Sequence, residues 1–338
     1  MAENAQQSVS RDNPIFRAMQ GWQPARVLMT ATRLDVFTII GDGQLSVSEI
    51  AERCQSHPRS LTLLLNACVA LRFLHKEGDL YRNSPEALDL LIRGKTTYMG
   101  DMIAHGEDTM HGWMRLEEAV RTNQAVILRG DHERAPEALR SFILGMHNRA
   151  MLTGQALADN LDISGRHQLF DAGGGPGTYS IFLVKNYPTL RAIVFDLPYA
   201  IEIAKEVIAS FGLEDRVSTR VGNYFEDDFG QDNDVVLLSA VFHSMGPDNC
   251  KLLLRKAYDS LVSGGLVVVQ ENLIDADGTS PTSAALFSLN MLVHTGEGQS
   301  RSGEEVVAWM EEVGFVDPSV KTLPPPAFRM SLVIGTKP

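Results

Sequence analysis

His243 and the glycines that follow Asp171 are the residues of this chain whose types and spacing could do chemistry. His243 stands just past an apolar run, Asp234-Val-Val-Leu-Leu-Ser-Ala-Val241, that reads as a buried strand. A histidine titrating near ~6.5 can take a proton from a weak acid at neutral pH, a contribution of roughly 10²–10⁴-fold to a rate. Its plainer use is as a packed side chain at a strand end. Residues 169–177, Leu-Phe-Asp-Ala-Gly-Gly-Gly-Pro-Gly, set Asp171, Gly173, Gly174, Gly175 and Gly177 between a short apolar run and a helix-like segment from Thr178. Strand, tight glycine turn and helix together let backbone approach a bound nucleoside closely. A dinucleotide fingerprint would need glycine at 178, where Thr178 stands. A P-loop would need Gly-Lys-Ser/Thr at the end of the loop, which is missing.

The Asp-x-Gly-x-Gly-x-Gly spacing that remains is typical of S-adenosylmethionine (SAM) sites, with a purely structural glycine turn as the alternative. Arg191-Ala-Ile-Val-Phe-Asp196 reads as a β-branched strand ending in a carboxylate, 23 residues after Gly173. Nucleotide-binding α/β folds place there the acid that accepts from ribose hydroxyls. Asp196-Leu197-Pro198 is also a helix-start signal, so a capping role is open too. A third strand, Val217 to Val221, leads into Gly222-Asn223-Tyr224-Phe225, and the fourth, holding Ser239, leads to His243. Three strand ends thus bring an acid, an amide with an aromatic, and a histidine to the carboxyl edge of one sheet, where open α/β sheets bind ligands.

The succession Asp171-x-Gly-Gly-Gly-x-Gly, Phe195-Asp-Leu-Pro198, Gly222-Asn-Tyr-Phe225 and Leu238-Ser-x-Val-x-His243 resembles the plant-type small-molecule O-methyltransferases and their bacterial relatives. The likeness runs from about Phe16 to the C-terminus. It implies an α/β fold, a Rossmann-like seven-stranded SAM-methyltransferase domain preceded by a helical, winged-helix dimerisation domain. It implies SAM as cofactor, S-adenosylhomocysteine as product, and no metal. By the same resemblance Asp171, Gly173, Gly174, Gly175, Gly177, Asp196, Leu197, Gly222, Asn223, Tyr224 and Ser239 would cradle the cofactor. His243 would be the general base and Glu271, ending the fifth strand, would orient it. Met146, His147, Arg149, Met291 and Thr295 would belong to the acceptor pocket.

Departures from the family pattern keep a second chemistry open. The family follows this histidine with Asp-Trp-x-Asp, whereas Ser244-Met245-Gly246-Pro247-Asp248 stands here. Met245 therefore replaces an adenine-stacking tryptophan, and Ser300 stands where a second histidine-flanking glutamate is usual, which weakens the support for an imidazolium. Asn223 replaces an aspartate. A phenol, with pKa ~10, needs a base at neutral pH, but a thioether sulfur carries no proton and needs none. A small thioether acid of the dimethylsulfoniopropionate-pathway type would instead want a cation for its carboxylate, such as Arg149 or Arg301. A third class is a SAM-binding regulator that reads DNA through its winged helix and does no chemistry.

Around this chemistry the chain reads as three parts: residues 1–100, a helical winged-helix dimerisation domain; 101–164, a helical linker that contributes to the acceptor pocket; and 165–338, the SAM-binding catalytic domain. Residues 1–14 are polar and read as a mobile start. Leu45 to Arg72 reads as helix–turn–helix, and Phe73 to Arg82 as a hairpin with Glu77-Gly-Asp79 at its tip. DNA binding is disfavoured by charge. From Ser46 to Arg82 five Arg/Lys meet four acids, and the would-be recognition helix is Leu-Leu-Leu-Asn-Ala-Cys-Val-Ala-Leu. The whole chain carries net charge −12, which repels nucleic acid. The stretch 98–160 is rich in methionine and aromatics, mostly core by their spacing, with a minority free to fit an apolar ligand. In the catalytic part, Asp248 to Leu261 reads as a helix, Ser263-Gly-Gly265 as a turn, Leu266 to Glu271 as a strand, and Pro281 to His294 as a helix. Val320 to Leu323 and Arg329 to Gly335 read as a final antiparallel pair, joined by a stiff Pro324-Pro-Pro326 loop. No run is long and apolar enough for a membrane span, and no secretion signal opens the chain. Cys54, Cys68 and Cys250 are odd in number and scattered, as for reduced thiols. The expectation is a cytoplasmic homodimer formed through the N-terminal helices, acting on a small molecule, with neither nucleic acid nor membrane as partner.

Overall fold

The computed structural model describes residues 13–127, 136–324 and 330–338. The chain divides into two compact units, one up to Glu107 and one from Asp108. In the first, Asn13 accepts from the Ile15 N–H at 2.9 Å and Pro14 starts the helix Pro14–Gln20. Residues 1–12 of the polar start lie outside the described residues. Helices Trp22–Arg33 and Val36–Ile40 follow, then β1 (Leu45–Ser46), helix Val47–Arg53 and helix Pro58–Ala70. The turn between β1 and its helix is fixed by a capping box in which Ser46 and Glu49 satisfy each other's backbone N–H groups. β2 (Leu74–Glu77) and β3 (Leu80–Asn83) form the hairpin, and the antiparallel sheet runs β1-β3-β2. Leu61, Leu65 and Cys68 of helix Pro58–Ala70 face the core with Ile50, Leu74 and Tyr81. Burial pushes the Cys68 thiol up to about 12, which leaves it unreactive.

The second unit is built on a seven-stranded sheet of β4 (Gln168–Ala172), β5 (Arg191–Asp196), β6 (Val217–Val221), β7 (Asn233–Ser239), β8 (Leu261–Glu271), β9 (Val316–Thr322) and β10 (Ser331–Thr336), in the order β6-β5-β4-β7-β8-β10-β9. The first five are parallel, and β10 is antiparallel to both β8 and β9. Strands buried on both faces read as continuous apolar runs, as β4 and β7 do here, whereas the edge strand β6, Val217-Ser-Thr-Arg-Val221, does not. One face packs Leu169, Val194, Leu237 and Val268 under helices Pro136–Asn160, Thr178–Asn186 and Pro198–Ser210. The other packs Phe170, Phe195, Val236 and Val269 under helices Pro247–Ser260 and Gly303–Val313. Strand order reverses between β4 and β7, so the crevice of the sheet opens past Ala172 and Ser239.

Two strand boundaries differ from the sequence reading. β7 stops at Ser239 because Ala240 takes φ +56° and turns the chain out of the sheet. β8 starts at Leu261, five residues early. The register jumps from Asn233↔Leu261 to Val235↔Leu266, so the Ser263-Gly264-Gly265 turn is a bulge inside the strand. Gly264, at φ +77°, donates to the Lys337 carbonyl at 2.7 Å, and Lys337 N–H donates to Gly265 O at 2.9 Å, which keeps the bulge in the ladder. The proline loop beyond Pro324 and the expected strand start at Arg329 lie outside the described residues.

Candidate active site

At the mouth of the crevice the chain is folded down on itself. Gly173 and Gly174 N–H groups donate to Phe195 O at 2.8 and 3.3 Å. Gly175 N–H donates to Asp196 Oδ2 at 2.8 Å, and Leu197 N–H to Asp196 Oδ1 at 2.7 Å. Gly173 has φ +73°, and a Cβ there would stand 3.0 Å from Val241 Cγ2 and 3.4 Å from the Tyr224 ring. A Cβ on Gly174 would come within 2.7 Å of the Asp171 carboxyl carbon. The surface offered here is therefore backbone, tight at Gly173 and closed to a side chain at Gly174.

Asp171 lies buried under that loop. Its Oδ2 accepts from Ser180 Oγ at 2.7 Å, and its Oδ1 has no partner among the described residues. Burial pushes its carboxyl up to about 7, against the pull of the Ser180 bond. Burial also raises Asp196, opposed by its two backbone donors. Each Asp196 oxygen keeps a lone pair for a hydroxyl donor. Gly222 N–H donates to Asp196 O at 3.0 Å, which brings the β6 loop to the same place. There Asn223 Oδ1 accepts from Phe225 N–H at 3.0 Å, and Tyr224 sits edge-on to Phe225 with centroids 4.6 Å apart. Ser239 Oγ donates to Gln270 Oε1 at 2.9 Å, so it is bonded into the sheet. A glycine cradle, a half-buried carboxylate with spare lone pairs and a buried orphan oxygen beneath fit the nucleoside part of SAM.

The left-handed Ala240 aims the chain into a short 3₁₀ turn, Phe242–Ser244, that carries His243. His243 Nδ1 lies 2.8 Å from Glu271 Oε2, and His243 N–H donates to Glu271 Oε1 at 3.3 Å. Both side chains are buried. Opposite a carboxylate, Nδ1 must carry the proton, which leaves the Nε2 lone pair to accept one. The ring meets Phe287 edge-on, centroids 4.8 Å apart.

Helix Thr282–His294 and the segment after it wall the other side. Met291 is fully buried, and its carbonyl accepts from both the N–H and the Oγ1 of Thr295 at 2.7 Å. Thr295 Oγ1 in turn accepts from Gly298 N–H at 3.0 Å, and a Cβ on Gly298 would stand 2.5 Å from His243 O. Ser300 turns away from the histidine. Its Oγ donates to Ala284 O at 2.9 Å and its N–H to Ser288 Oγ at 3.1 Å. One carboxylate, not two, therefore holds His243 among the described residues. Arg301 is buried, donates to the carbonyls of Met245 and Glu297, and lies over the Trp309 ring.

The pocket candidates on helix Pro136–Asn160 separate. Met146 is half-buried. His147 Nδ1 lies 2.8 Å from Thr178 Oγ1, its ring meets Phe211, and burial lowers its pKa. Arg149 donates to Met330 Sδ at 3.1 Å. Neither shares a partner with His243 in these contacts. Phe287, edge-on to His243, is a neighbour of the candidate base that the sequence reading did not name. Its signal was present, because it stands one helical turn before Met291 on the same face.

Comparison with known proteins shows the family to which the chain belongs. Residues 97–316 match the O-methyltransferase domain family and residues 16–92 the O-methyltransferase dimerisation domain. The chain is 33% identical over 302 residues to 3-hydroxy-5-methyl-1-naphthoate 3-O-methyltransferase of Streptomyces sahachiroi, covering 87% of this chain and 86% of that protein. It is 31% identical to acetylserotonin O-methyltransferase of Bos taurus over 88% of this chain and 90% of that one. The crystal structure of human N-acetylserotonin methyltransferase in complex with SAM superposes with a TM-score of 0.87 at 26% identity, over 96% of each chain. No helix among the described residues is long and apolar enough to cross a membrane. Shared motifs, shared fold and matches along nearly the whole length agree: this chain belongs to the O-methyltransferase family and is a SAM-dependent methyltransferase that carries the family's dimerisation domain.

Proposed function

We propose that the chain methylates a phenolic hydroxyl of a small molecule, with His243 as general base and Glu271 as the residue that orients it. The observation that carries this reading is the 2.8 Å contact between His243 Nδ1 and Glu271 Oε2 in a buried setting. Glu271 fixes the tautomer and stabilises the imidazolium that forms when Nε2 takes the acceptor's proton. SAM, when bound, supplies a methyl group on a sulfonium, which needs no metal. Asp171, Gly173, Gly174, Gly175, Gly177, Asp196, Leu197, Gly222, Asn223 and Tyr224 would hold it, with Ser239 supporting the strand end. Met146, Phe287, Met291 and Thr295 would line the acceptor side and exclude water, helped by the helices of 101–164. The dimerisation domain supports a homodimer.

The bonds made by Arg301 to backbone carbonyls weigh against its pairing with the carboxylate of a thioether acid. The test is transfer of labelled methyl from SAM to two panels, phenols and small thioether acids, with His243→Ala in parallel. Turnover of phenols that the variant loses supports the reading. Turnover of thioether acids alone, with the variant unimpaired, overturns the base and the acceptor class together.

A further inference from the structure

Lys256 belongs to none of the motifs that drew attention to the site. It sits half-buried on helix Pro247–Ser260, and its Nζ donates to three backbone carbonyls: Tyr224 at 2.9 Å, Phe225 at 2.8 Å and Asp227 at 2.9 Å. All three ammonium protons thus serve one turn of the chain. The turn's other bonds are mostly its own, with the Tyr224 hydroxyl bonded outward to the Ser244 side chain. Asn223 N–H donates to Asp227 Oδ2 at 2.8 Å, and the Asn223 carbonyl accepts from Glu226 and Asp227 N–H at 3.0 and 2.8 Å. Carbonyls that converge in a turn repel one another, and a cation at their focus removes that repulsion while satisfying all three. Lys251, on the same helix, does something different: it pairs with Glu312 at 2.7 Å on the surface.

The turn matters because of what it carries. Tyr224 closes over Gly173, and Asn223 follows the β6 end that Asp196 reaches through Gly222. We propose that Lys256 is a positioning residue for the cofactor: it locks the 223–227 turn so that Asn223 and Tyr224 are presented, preformed, to the nucleoside end of SAM. This rests on the reading that those two residues hold the cofactor. Without the ammonium the turn must be ordered at the moment of binding, which weakens affinity and leaves the methyl-transfer step alone. The turn also reaches the loop that carries His243, because the Tyr224 hydroxyl bonds to the Ser244 side chain, so kcat is read beside affinity.

Four proteins test it: wild type, Lys256→Met, Lys256→Arg and Lys251→Met. Calorimetric affinity for S-adenosylhomocysteine is measured with kcat and both KM values. Lys256→Met is expected to weaken S-adenosylhomocysteine about 10-fold, in line with one net hydrogen bond to a charged group. KM for SAM should rise by a similar factor, with kcat and the acceptor KM within about twofold of wild type. Lys256→Arg, which keeps charge and donors, should recover part of the loss, and Lys251→Met should show none. Undiminished affinity in Lys256→Met overturns the proposal, and so does a loss confined to kcat, or an equal loss in Lys251→Met. If Lys256→Met does not fold, Lys256→Gln, which keeps two donors and no charge, is read in its place. Failure of wild type to bind S-adenosylhomocysteine would instead sink the cofactor reading beneath the proposal.

Discussion

The two sides of the crevice are made of different material. From residue 171 to 177, and again at 196–197 and 222–224, the surface is backbone. A Cβ would be tight at Gly173 and has no room at Gly174, and a side-chain carboxylate, Asp196, ties the loop through the N–H groups of Gly175 and Leu197. From 282 to 301 the surface is side chains on helix Thr282–His294 and the segment after it, with Phe287 and Met291 one turn apart and Ser300 tied to Ala284. A backbone surface can hold only one shape of ligand, because changing it means moving the chain. A side-chain surface can be altered residue by residue without moving anything. A cofactor common to a whole family suits the first, and an acceptor that differs among members suits the second.

The sharpest way to break that division is at the group placed between the sides. His243→Ala should lower kcat by at least ~10² and leave affinity for S-adenosylhomocysteine within about twofold, as measured by turnover and calorimetry. A parallel loss of cofactor affinity would mean that His243 also shapes the backbone side. Second in size is the buried acid under the glycine loop. The Asp171 carboxyl titrates near 3.8 when unfolded and is raised to about 7 when folded, by burial. Its protonated form is favoured by the fold, so this contribution to stability is full below about pH 4 and is lost as pH rises through about 7. In urea denaturation of the cofactor-free protein at pH 5 and pH 8, wild type should lose about 2–3 kcal/mol more than Asp171→Asn across that interval. Equal pH dependence of the two would show that Asp171 ionises in place without penalty.

The same division decides what the sequence discloses. The side proposed to hold the cofactor is legible because close backbone approach requires glycine at fixed intervals, and because Asp196 ends an apolar strand and His243 closely follows one. Glu271 is legible for the same reason. What is hidden depends on partners far along the chain. His147 carries no sign that it will meet Thr178, nor Ser239 that it will meet Gln270, and both contacts span 31 residues. Arg301 reads as a cation for a ligand and turns out to join two carbonyls, one of them 56 residues away. Strand ends are misjudged where a residue does what its type rarely does. Ala240 at a left-handed φ ends β7 two residues early, and Gly264 inside a bulge lets β8 begin where a turn was expected. Phe287 was within reach, since helical spacing from Met291 puts it on the same face.

Two smaller substitutions sharpen the comparison, one on each side. Gly173→Ala asks the backbone side to accept a methyl at φ +73°, 3.0 Å from Val241 and 3.4 Å from Tyr224. The left-handed conformation alone costs an L-residue about 1–2 kcal/mol, so urea denaturation should show a loss of that order. S-adenosylhomocysteine should bind about 10-fold more weakly, because Val241 must give way and the added methyl changes the backbone surface proposed to face the cofactor. Phe287→Ala makes the matching change on the acceptor side and should do less. An edge-to-face aromatic contact is worth about 0.5–1.5 kcal/mol beyond the area it covers, so the acceptor KM should rise roughly 3- to 10-fold. The kcat should fall far less than in His243→Ala, since Glu271 still holds the imidazole. Affinity for S-adenosylhomocysteine should not change, because the helix that bears Phe287 makes none of the bonds that shape the glycine loop. Phe287→Leu, which restores most of the apolar volume, should recover most of the acceptor KM if the contact is packing, and little of it if the ring's edge is what orients the imidazole. If either variant weakened cofactor binding as much as acceptor binding, the two sides would be one cooperative structure and the contrast between them would not hold.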